Sequence, residues 1–188
     1  FIEGPENTST WQIDIADNLM ITSLNALSAG WGGDPESPHA PEAVLIWSLD
    51  DPLNPKQIGS FTSGGGTHRN GYFGGRYMHL AANHPDYRGE MYMIVDIEDP
   101  TNPVEAGRYQ PGGLLKSDPD PYDRARLHGP ADVRGDHAFL PFGGAGFIIA
   151  DISDPANIEE IGRLDFSPPF GPTHLSVHTT TPYLERNL

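Results

Sequence analysis

The chain contains no cysteine among its 188 residues, which excludes disulfides, thiolate nucleophiles and cysteine-based zinc sites. It has no apolar run of 18 residues and no signal peptide, so any targeting segment would lie outside this sequence, and membrane insertion is not expected. Helix signals are also scarce. With 19 proline and 22 glycine residues, no twelve-residue window is both free of these breakers and apolar at helical spacing.

Basic residues are few, with 11 Lys and Arg against 26 Asp and Glu, which gives a net charge of −15. This charge repels phosphate backbones and anionic lipid, so nucleic acid and membrane surfaces are poor candidate partners. An acidic, turn-rich and cysteine-free composition is typical of exported bacterial proteins. We therefore expect a periplasmic or extracellular location.

One phrase of the sequence occurs three times. At 95–109 it consists of an apolar strand, a turn built on Asp99-Pro100 and Asn102-Pro103, and a second strand. It recurs at 47–61 and at 150–164, and the Asp-Pro steps are spaced by 48 and then 55 residues. Strand-type repeats of this length indicate the four-stranded blades of a β-propeller, an all-β fold.

The repeat divides the chain into blades of a single propeller domain. Blade one is expected at 1–62 with a long loop at 25–42, and blade two at 63–110. Blade three is expected at 111–166, where 111–126 is a polar insertion, and 167–188 would begin a fourth blade. The predicted strands are 11–16, 19–24, 43–48, 57–61, 69–73, 77–81, 91–96, 104–109, 129–133, 137–142, 146–152, 158–164 and 174–179.

The repeated phrases resemble the LVIVD repeat, which occurs in bacterial and archaeal, often exported, β-propeller proteins. The segments Ile94–Pro100 and Ile149–Pro155 match its pattern of an apolar strand, an Asp and an Asp-Pro step, whereas Ser48 departs from it. The resemblance covers most of 11–166 and implies the fold but not a function. A fainter similarity to the selenium-binding protein type of propeller (methanethiol oxidases) is carried only by Asp151–Pro155.

About three and a half blades do not close a ring, and seven is the commonest closure for such repeats. An open stack would leave unpaired edges, which proteins in solution avoid. We expect the remaining blades to come from another chain or from residues outside this sequence.

Three histidines lie where the chain enters successive inner strands. These are His68, His128 and His174, and His178 follows four residues after the last, on the same face of a strand. Imidazoles that converge on a central channel are suited to bind Fe, Cu or Zn. The alternative is that each packs its blade by bonding a backbone carbonyl. Blade one has Thr10-Trp11 at this position instead.

Further candidates surround the same rim. Arg69 is a candidate to neutralise an anionic substrate or to pair with a carboxylate. Asp123, on the insertion, is a candidate general acid or base. The long loops contribute candidate pocket-rim residues, namely Trp31, His39, His84 and Tyr87. His79 and His137 lie within second strands and are predicted to be structural or surface residues.

Two functions follow from these patterns. The first is a metal-dependent enzyme with a histidine-lined channel that acts on a small organic substrate, with oxidoreductase chemistry favoured over hydrolysis. The second is a non-catalytic exported propeller that binds a protein or glycan through its loop-rich face. No nucleotide cofactor is expected, because Gly64-Gly65-Gly66 lacks the lysine and helix of a phosphate loop.

Overall fold

The computed structural model describes residues 2–38, 41–119, 125–165 and 176–186. Within these ranges the chain is built of strands and turns, with short 3-10 helices at Ala29–Trp31, Gly143–Ala145 and Leu184–Arg186 and no α-helix. The strands are β1 Thr8–Ser9, β2 Ile13–Ala16, β3 Leu19–Ala26, β4 Ala43–Ser48, β5 Lys56–Phe61, β6 Thr67–Gly71, β7 Tyr77–Ala82, β8 Met91–Asp96, β9 Val104–Tyr109, β10 Asp132–Arg134, β11 His137–Pro141, β12 Phe147–Asp151 and β13 Glu159–Leu164. The predicted all-β fold is confirmed.

Three antiparallel sheets follow one another along the chain, and each is one blade. Blade one pairs β2, β3, β4 and β5 in order, blade two pairs β6 to β9, and blade three pairs β10 to β13. The third and fourth strands of every blade carry a register shift at the same place, after Ile46, Ile94 and Ile149. The repeat seen in the sequence is therefore also a repeat of backbone geometry.

Several predicted strands are shifted by a few residues, such as β6 and β10, and two differences are larger. Blade one has a fifth strand, β1, whose Thr8 and Ser9 pair with Ala26 and Asn25 of β3, so β3 extends into the predicted loop. The predicted strand at 174–179 is wrong for its described part, since 176–179 forms no strand. No neighbouring strand is paired with this segment among the described residues, and a strand requires such a partner.

The first hairpin turn is formed as predicted. Asp17 and Asn18 both have positive φ, 47° and 63°, the backbone of a two-residue turn that matches strand twist. In blade two the predicted turn residues Gly74 and Gly75 also have positive φ, but the connection is longer than expected. Tyr72 is buried there and its hydroxyl donates to the Gly75 carbonyl at 3.1 Å, which ends β6 early.

The Asp-Pro turns are closed by their own side chains. The Asp51, Asp99 and Asp154 carboxylates each accept the backbone N–H two residues later, at 3.0–3.1 Å. A second bond of this kind precedes two of the turns, since Asp96 and Asp151 accept from Glu98 and Ser153. In blade one the Ser48 hydroxyl oxygen takes this role and accepts the Asp50 N–H at 3.1 Å. Serine thus preserves the turn where the sequence departs from the repeat.

Blade two buries residues on both faces of its sheet, because it lies between blades one and three. In β8, Met93 and Val95 pack toward blade one, whereas Tyr92 and Ile94 pack toward blade three. All four side chains are fully buried. This is why the sequence of β8 is a continuous run of apolar residues and does not alternate between apolar and polar residues.

The glycine near the end of each of the first two repeats lies against the turn of the next blade. A Cβ on Gly59 would overlap the carbonyl oxygen of Pro100, and one on Gly107 would overlap that of Pro155. The turns of blades two and three therefore present their proline carbonyls to the preceding blade, at a distance that only glycine permits. This contact explains the glycines at 59 and 107 and the Asp-Pro steps at 99 and 154.

In the described part of the chain, no helix is both long enough and apolar enough to cross a membrane.

We expect Gly107→Ala to lower the free energy of unfolding by about 1–3 kcal/mol, because the new methyl group must push two blades apart. Urea denaturation followed by circular dichroism measures the loss. The control is Gly112→Ala, where a Cβ meets no atom within 4 Å. It should change stability by less than about 0.5 kcal/mol. Equal effects of the two substitutions would contradict the role of the glycine contact.

Candidate functional site

Three of the predicted histidines lie side by side at the inner ends of successive blades. The ring centroids of His68 and His128 are 4.5 Å apart, and those of His128 and His178 are also 4.5 Å apart. His68 belongs to blade two, His128 precedes the first strand of blade three, and His178 lies in the segment that follows blade three. The fold thus brings together imidazoles that are 50 to 110 residues apart in sequence.

Local backbone features direct these side chains. His68 is the extra residue of a β-bulge, since Thr67 pairs with Ala82 and Arg69 pairs with Ala81. Bulges turn a side chain away from the regular alternation and are frequent near functional sites. His128 follows Leu127, which is fully buried and whose N–H donates to the Glu90 carbonyl at 2.8 Å. The first two imidazoles are therefore anchored by blade two.

The histidines continue a longer row of rings. Trp11 lies 5.8 Å from His68 and 5.7 Å from Trp31 between ring centroids, the latter edge to face. Trp11 takes the place in blade one that a histidine takes in the later blades. We call the five side chains the ring row, which consists of Trp31, Trp11, His68, His128 and His178.

Burial and nearby arginines keep two of these imidazoles neutral. Desolvation, followed by the charges of Arg69 and Arg126, lowers the pKa of His68 to about 4. Desolvation, followed by the neighbouring His68 and His178, lowers the pKa of His128 to about 4 as well. Neutral imidazole is the form that binds metals, so both rings are available as ligands at physiological pH.

Each of these two rings has a buried nitrogen without a hydrogen bond. His68 Nε2 and His128 Nδ1 are inaccessible to solvent and find no partner among the described residues. Buried polar atoms are normally paired, and exceptions frequently mark functional groups or a bound species. The simple packing alternative, in which each histidine bonds a backbone carbonyl, leaves these two nitrogens unexplained.

The arginines beside the row have partners of their own. Arg69 donates from Nη1 to the Trp11 carbonyl at 2.9 Å, so its described hydrogen-bond partner is a backbone oxygen. Arg126 Nε lies 3.4 Å from Oε2 of Glu90, which is only 7% exposed. Sequence reasoning did not single out Arg126 or Glu90. The signal for Arg126 was its position two residues before His128, on the same side of an extended chain.

The donor atoms do not converge on a single point. Among residues 2–38, 41–119, 125–165 and 176–186, no three His, Cys, Asp or Glu side chains form a group that could hold a metal ion. His174, the third predicted ligand, lies outside the described residues, as do the rim residue His39 and the predicted acid Asp123. The distances between the histidine rings and the unpaired nitrogens of His68 and His128 are compatible with a metal site. The described side chains are not oriented so that three donor atoms meet at one ion.

The other described rim candidates are His84, Tyr87 and Trp31. His84 and Tyr87 contact each other edge to face at 5.5 Å, and the Asp86 N–H donates to His84 Nδ1 at 3.2 Å. Tyr87 packs against both apolar cores and pairs with Leu115, so it covers the core instead of lining a pocket. Trp31 is 71% exposed and is the open end of the ring row.

His79 and His137 differ in environment, and neither belongs to the ring row. His137 is exposed at the start of β11. His79 is buried, and its Nδ1 lies 2.7 Å from the hydroxyl of buried Tyr92, so each satisfies the other. The equivalent pair in blade three is Phe139 and Phe147, which stack at 6.2 Å. A structural role for His79 and a surface position for His137 agree with the prediction.

The repeat model for LVIVD matches residues 88–111 and 131–165. These segments contain β8 and β9 of blade two and all four strands of blade three, so the chain carries LVIVD repeats as predicted. The copy in blade one, where Ser48 departs from the pattern, lies outside the match. A search of curated proteins gives no match. The fainter similarity to selenium-binding protein propellers gains no support.

We expect acid to destabilise the fold through His79. Burial lowers the pKa of His79 to about 4 in the folded chain, below the ordinary pKa of 6.5 that applies to the unfolded chain. At pH values between 4 and 6.5, His79 is therefore protonated in the unfolded chain and neutral in the folded chain. Stability is therefore fully present above pH 6.5 and falls as the pH drops toward 4, by about 3 kcal/mol for this group.

The double variant His79→Phe with Tyr92→Phe, which copies the blade-three pair, tests this linkage. The loss of unfolding free energy between pH 7 and pH 4 should shrink by about 3 kcal/mol relative to the parent chain. Urea denaturation at several pH values measures it, and His137→Phe serves as the exposed control. An unchanged pH dependence in the double variant would show that His79 does not carry the effect.

Proposed function

We propose that this LVIVD-repeat chain forms the metal centre of a β-propeller enzyme that acts on a small organic substrate. His68, His128 and His178 are the proposed ligands for Fe, Cu or Zn, with His174 as a further candidate. The proposal is supported above all by two adjacent neutral imidazoles, each with a buried nitrogen that lacks a hydrogen bond.

The spacing of the rings suits shared coordination. Two imidazoles that bind one ion at about 2 Å, in neighbouring positions, have ring centroids roughly 4.5 to 5 Å apart. The separations of 4.5 Å for both histidine pairs lie at the lower end of this range. The donors in their described rotamers do not converge, so binding requires rotation of at least one ring about its side-chain bonds. His178 is exposed, and its rotation would release the 2.7 Å contact between its Nδ1 and the Thr179 hydroxyl.

The charges near the ring row favour an anionic substrate. The chain carries −15 overall, yet Arg69 and Arg126 both lie close enough to His68 to lower its pKa. Glu90 offsets Arg126, which leaves Arg69 to attract a carboxylate or similar group toward the row. Arg69 would orient such a substrate, and the neighbouring blades would exclude water from it.

Oxidoreductase chemistry is favoured over hydrolysis by the kind of groups present. All described candidate ligands are imidazoles, which suit Cu and Fe as well as Zn. The carboxylate beside the row, Glu90, is buried against Arg126 and is poorly placed to act as a general base. An Fe or Cu ion would supply redox or oxygen chemistry, and a Zn ion would activate water.

A second candidate function is recognition of a glycan or protein through the loop-rich face, without catalysis. It is favoured by Trp31, whose large ring is 71% exposed while its edge-to-face contact with Trp11 holds it in place. Exposed, rigid aromatic side chains are frequent binding anchors.

Metal titration of the purified, chelator-treated chain distinguishes the two functions. Cu²⁺ should bind with one ion per chain and quench tryptophan fluorescence, since Trp11 lies 5.8 Å from His68. His68→Ala and His128→Ala should each weaken binding by more than the roughly 100-fold that loss of an outer-shell partner costs. The control is His137→Ala, which removes an exposed imidazole outside the row. A chain that binds no metal, or binds it equally in all three variants, would support the recognition function instead.

The pH dependence gives a second measurement on the same proteins. Because burial lowers the pKa of His68 and of His128 to about 4, protons compete with the metal for these two ligands only near that pH. Binding through these two histidines should therefore persist down to about pH 5, below the range near 6.5 in which ordinary histidines become protonated. Loss of binding with a midpoint near pH 6.5 would contradict binding through His68 and His128.

A further inference from the structure

A cavity of about 250 Å³ lies between blades two and three, next to the Asp-Pro turn of blade three. Blade two contributes Phe73, Tyr77 and His79 to its wall, and blade three contributes Val133 and Ile152. The wall is therefore mostly apolar and aromatic, with one imidazole. Cavities of this composition are typical of sites that bind small organic ligands.

Tyr72 fills the equivalent space between blades one and two. It is 4% exposed and packs in the core that these two blades share. In register it lies opposite Met78, the second residue of β7. The residue at the same place in blade three is Val133, which pairs with Ala138, the second residue of β11. The cavity therefore lies where a valine takes the place of a tyrosine.

The blade-two wall of the cavity also has a counterpart around Tyr72. Leu19 and Ile21 are the first and third residues of β3, as Tyr77 and His79 are of β7. Both blade-one side chains pack in the same core as Tyr72. Blade one thus encloses the Tyr72 ring in the way that blade two borders the cavity, so a single aromatic ring suits the space.

The hydroxyl of Tyr72 identifies a hydrogen-bond acceptor for such a ring. It donates to the Gly75 carbonyl in the turn of its own blade, at 3.1 Å. Gly135 has the same place before β11 that Gly75 has before β7, and both glycines have positive φ. Gly135 lines the cavity. A hydroxyl on a ring in the cavity would therefore have the Gly135 carbonyl as its acceptor.

His79 adds a hydrogen-bond donor that Ile21 cannot offer in blade one. Burial lowers the pKa of His79 to about 4, so the imidazole is neutral at physiological pH and carries one N–H. Its Nδ1 lies 2.7 Å from the hydroxyl of buried Tyr92. The hydroxyl donates to Nδ1, because the opposite arrangement would leave the buried hydroxyl proton without an acceptor. The proton of the imidazole is then on Nε2, and this N–H remains for a group that enters the cavity.

The charges at the mouth disfavour an anionic ligand. Arg76 is the one cation among the residues that line the cavity, and its Nη2 lies 2.6 Å from Asp96 and 3.1 Å from Glu98. Asp136 lies at the mouth and is exposed. Because carboxylates outnumber the single guanidinium, a negative ligand would be repelled and a neutral one would not.

We propose that the cavity binds a small neutral phenol that carries a second, hydrogen-bond-accepting substituent. Its ring takes the place that the Tyr72 ring takes between blades one and two. Its hydroxyl donates to the Gly135 carbonyl, and its acceptor receives the N–H of His79. A cavity of roughly 150 Å³ holds one benzene ring, so about 250 Å³ leaves room for the two substituents.

Calorimetric titration of the 188-residue chain with 4-hydroxyacetophenone tests the site. This neutral phenol should bind once per chain, with a Kd of about 1 mM or tighter. p-Cresol, which lacks the acceptor, and acetophenone, which lacks the hydroxyl, should each bind about 3- to 10-fold more weakly. No saturable binding of 4-hydroxyacetophenone up to about 10 mM would overturn the proposal. Tighter binding of the anion 4-hydroxybenzoate would also overturn it.

The variant Val133→Tyr copies Tyr72 and tests where the ligand binds. Its new ring should fill the cavity and abolish binding, while the circular dichroism spectrum stays that of the parent chain. The control is Val104→Tyr, the same exchange at a position that is 49% exposed and lies outside the cavity. It should bind 4-hydroxyacetophenone as the parent does. Retained binding in Val133→Tyr would overturn the proposal.

Nuclear magnetic resonance on the parent chain locates the ligand without any substitution. The imidazole signals of His79 should shift as 4-hydroxyacetophenone saturates the chain, whereas those of exposed His137 should not. Saturation without a shift at His79 would overturn the proposal. None of these measurements depends on a metal at the ring row, because His68 lies at the start of β6 and the cavity lies beyond the end of this strand.

Discussion

The contact between consecutive blades is the interaction on which the rest of this structure depends. A four-stranded sheet of this size cannot bury both of its faces alone, so each blade gains its core only from its neighbours. The close approach of a proline carbonyl to a glycine sets the distance between blades at their outer edge. Apolar side chains such as Met93 and Ile94 then fill the space on either side.

Stacking the blades also produces the histidine row. The inner ends of successive blades meet, so residues at equivalent positions come together although they are far apart in sequence. The bulge at His68 and the buried Leu127 before His128 direct two imidazoles into the same partly desolvated space. Low pKa values there are a consequence of packing first and of neighbouring charge second.

The chain is acidic overall, whereas the charged side chains next to the ring row include two arginines. Most carboxylates are in turns, where Asp51, Asp99 and Asp154 accept backbone hydrogen bonds and stabilise the reversal of the chain. Two arginines and three imidazoles gather instead at the inner ends of the blades. The net charge therefore governs the electrostatic interaction of the outer surface with other molecules, and it does not predict the charge of a ligand that binds at the ring row.

The amino-acid sequence by itself determined the repeat, the all-β fold and most strands, because turn residues and apolar runs act locally. Strands such as Met91–Asp96 and Val104–Tyr109 have the predicted bounds. It also predicted that His68 and His128 lie close together, because equivalent positions in successive repeats occupy equivalent places in the fold. Only the tertiary structure revealed β1, the Arg126–Glu90 pair and the reason for glycine at 59 and 107. Each of these features depends on contacts between residues that are far apart in the sequence. A local sequence pattern does not indicate which distant residues come into contact.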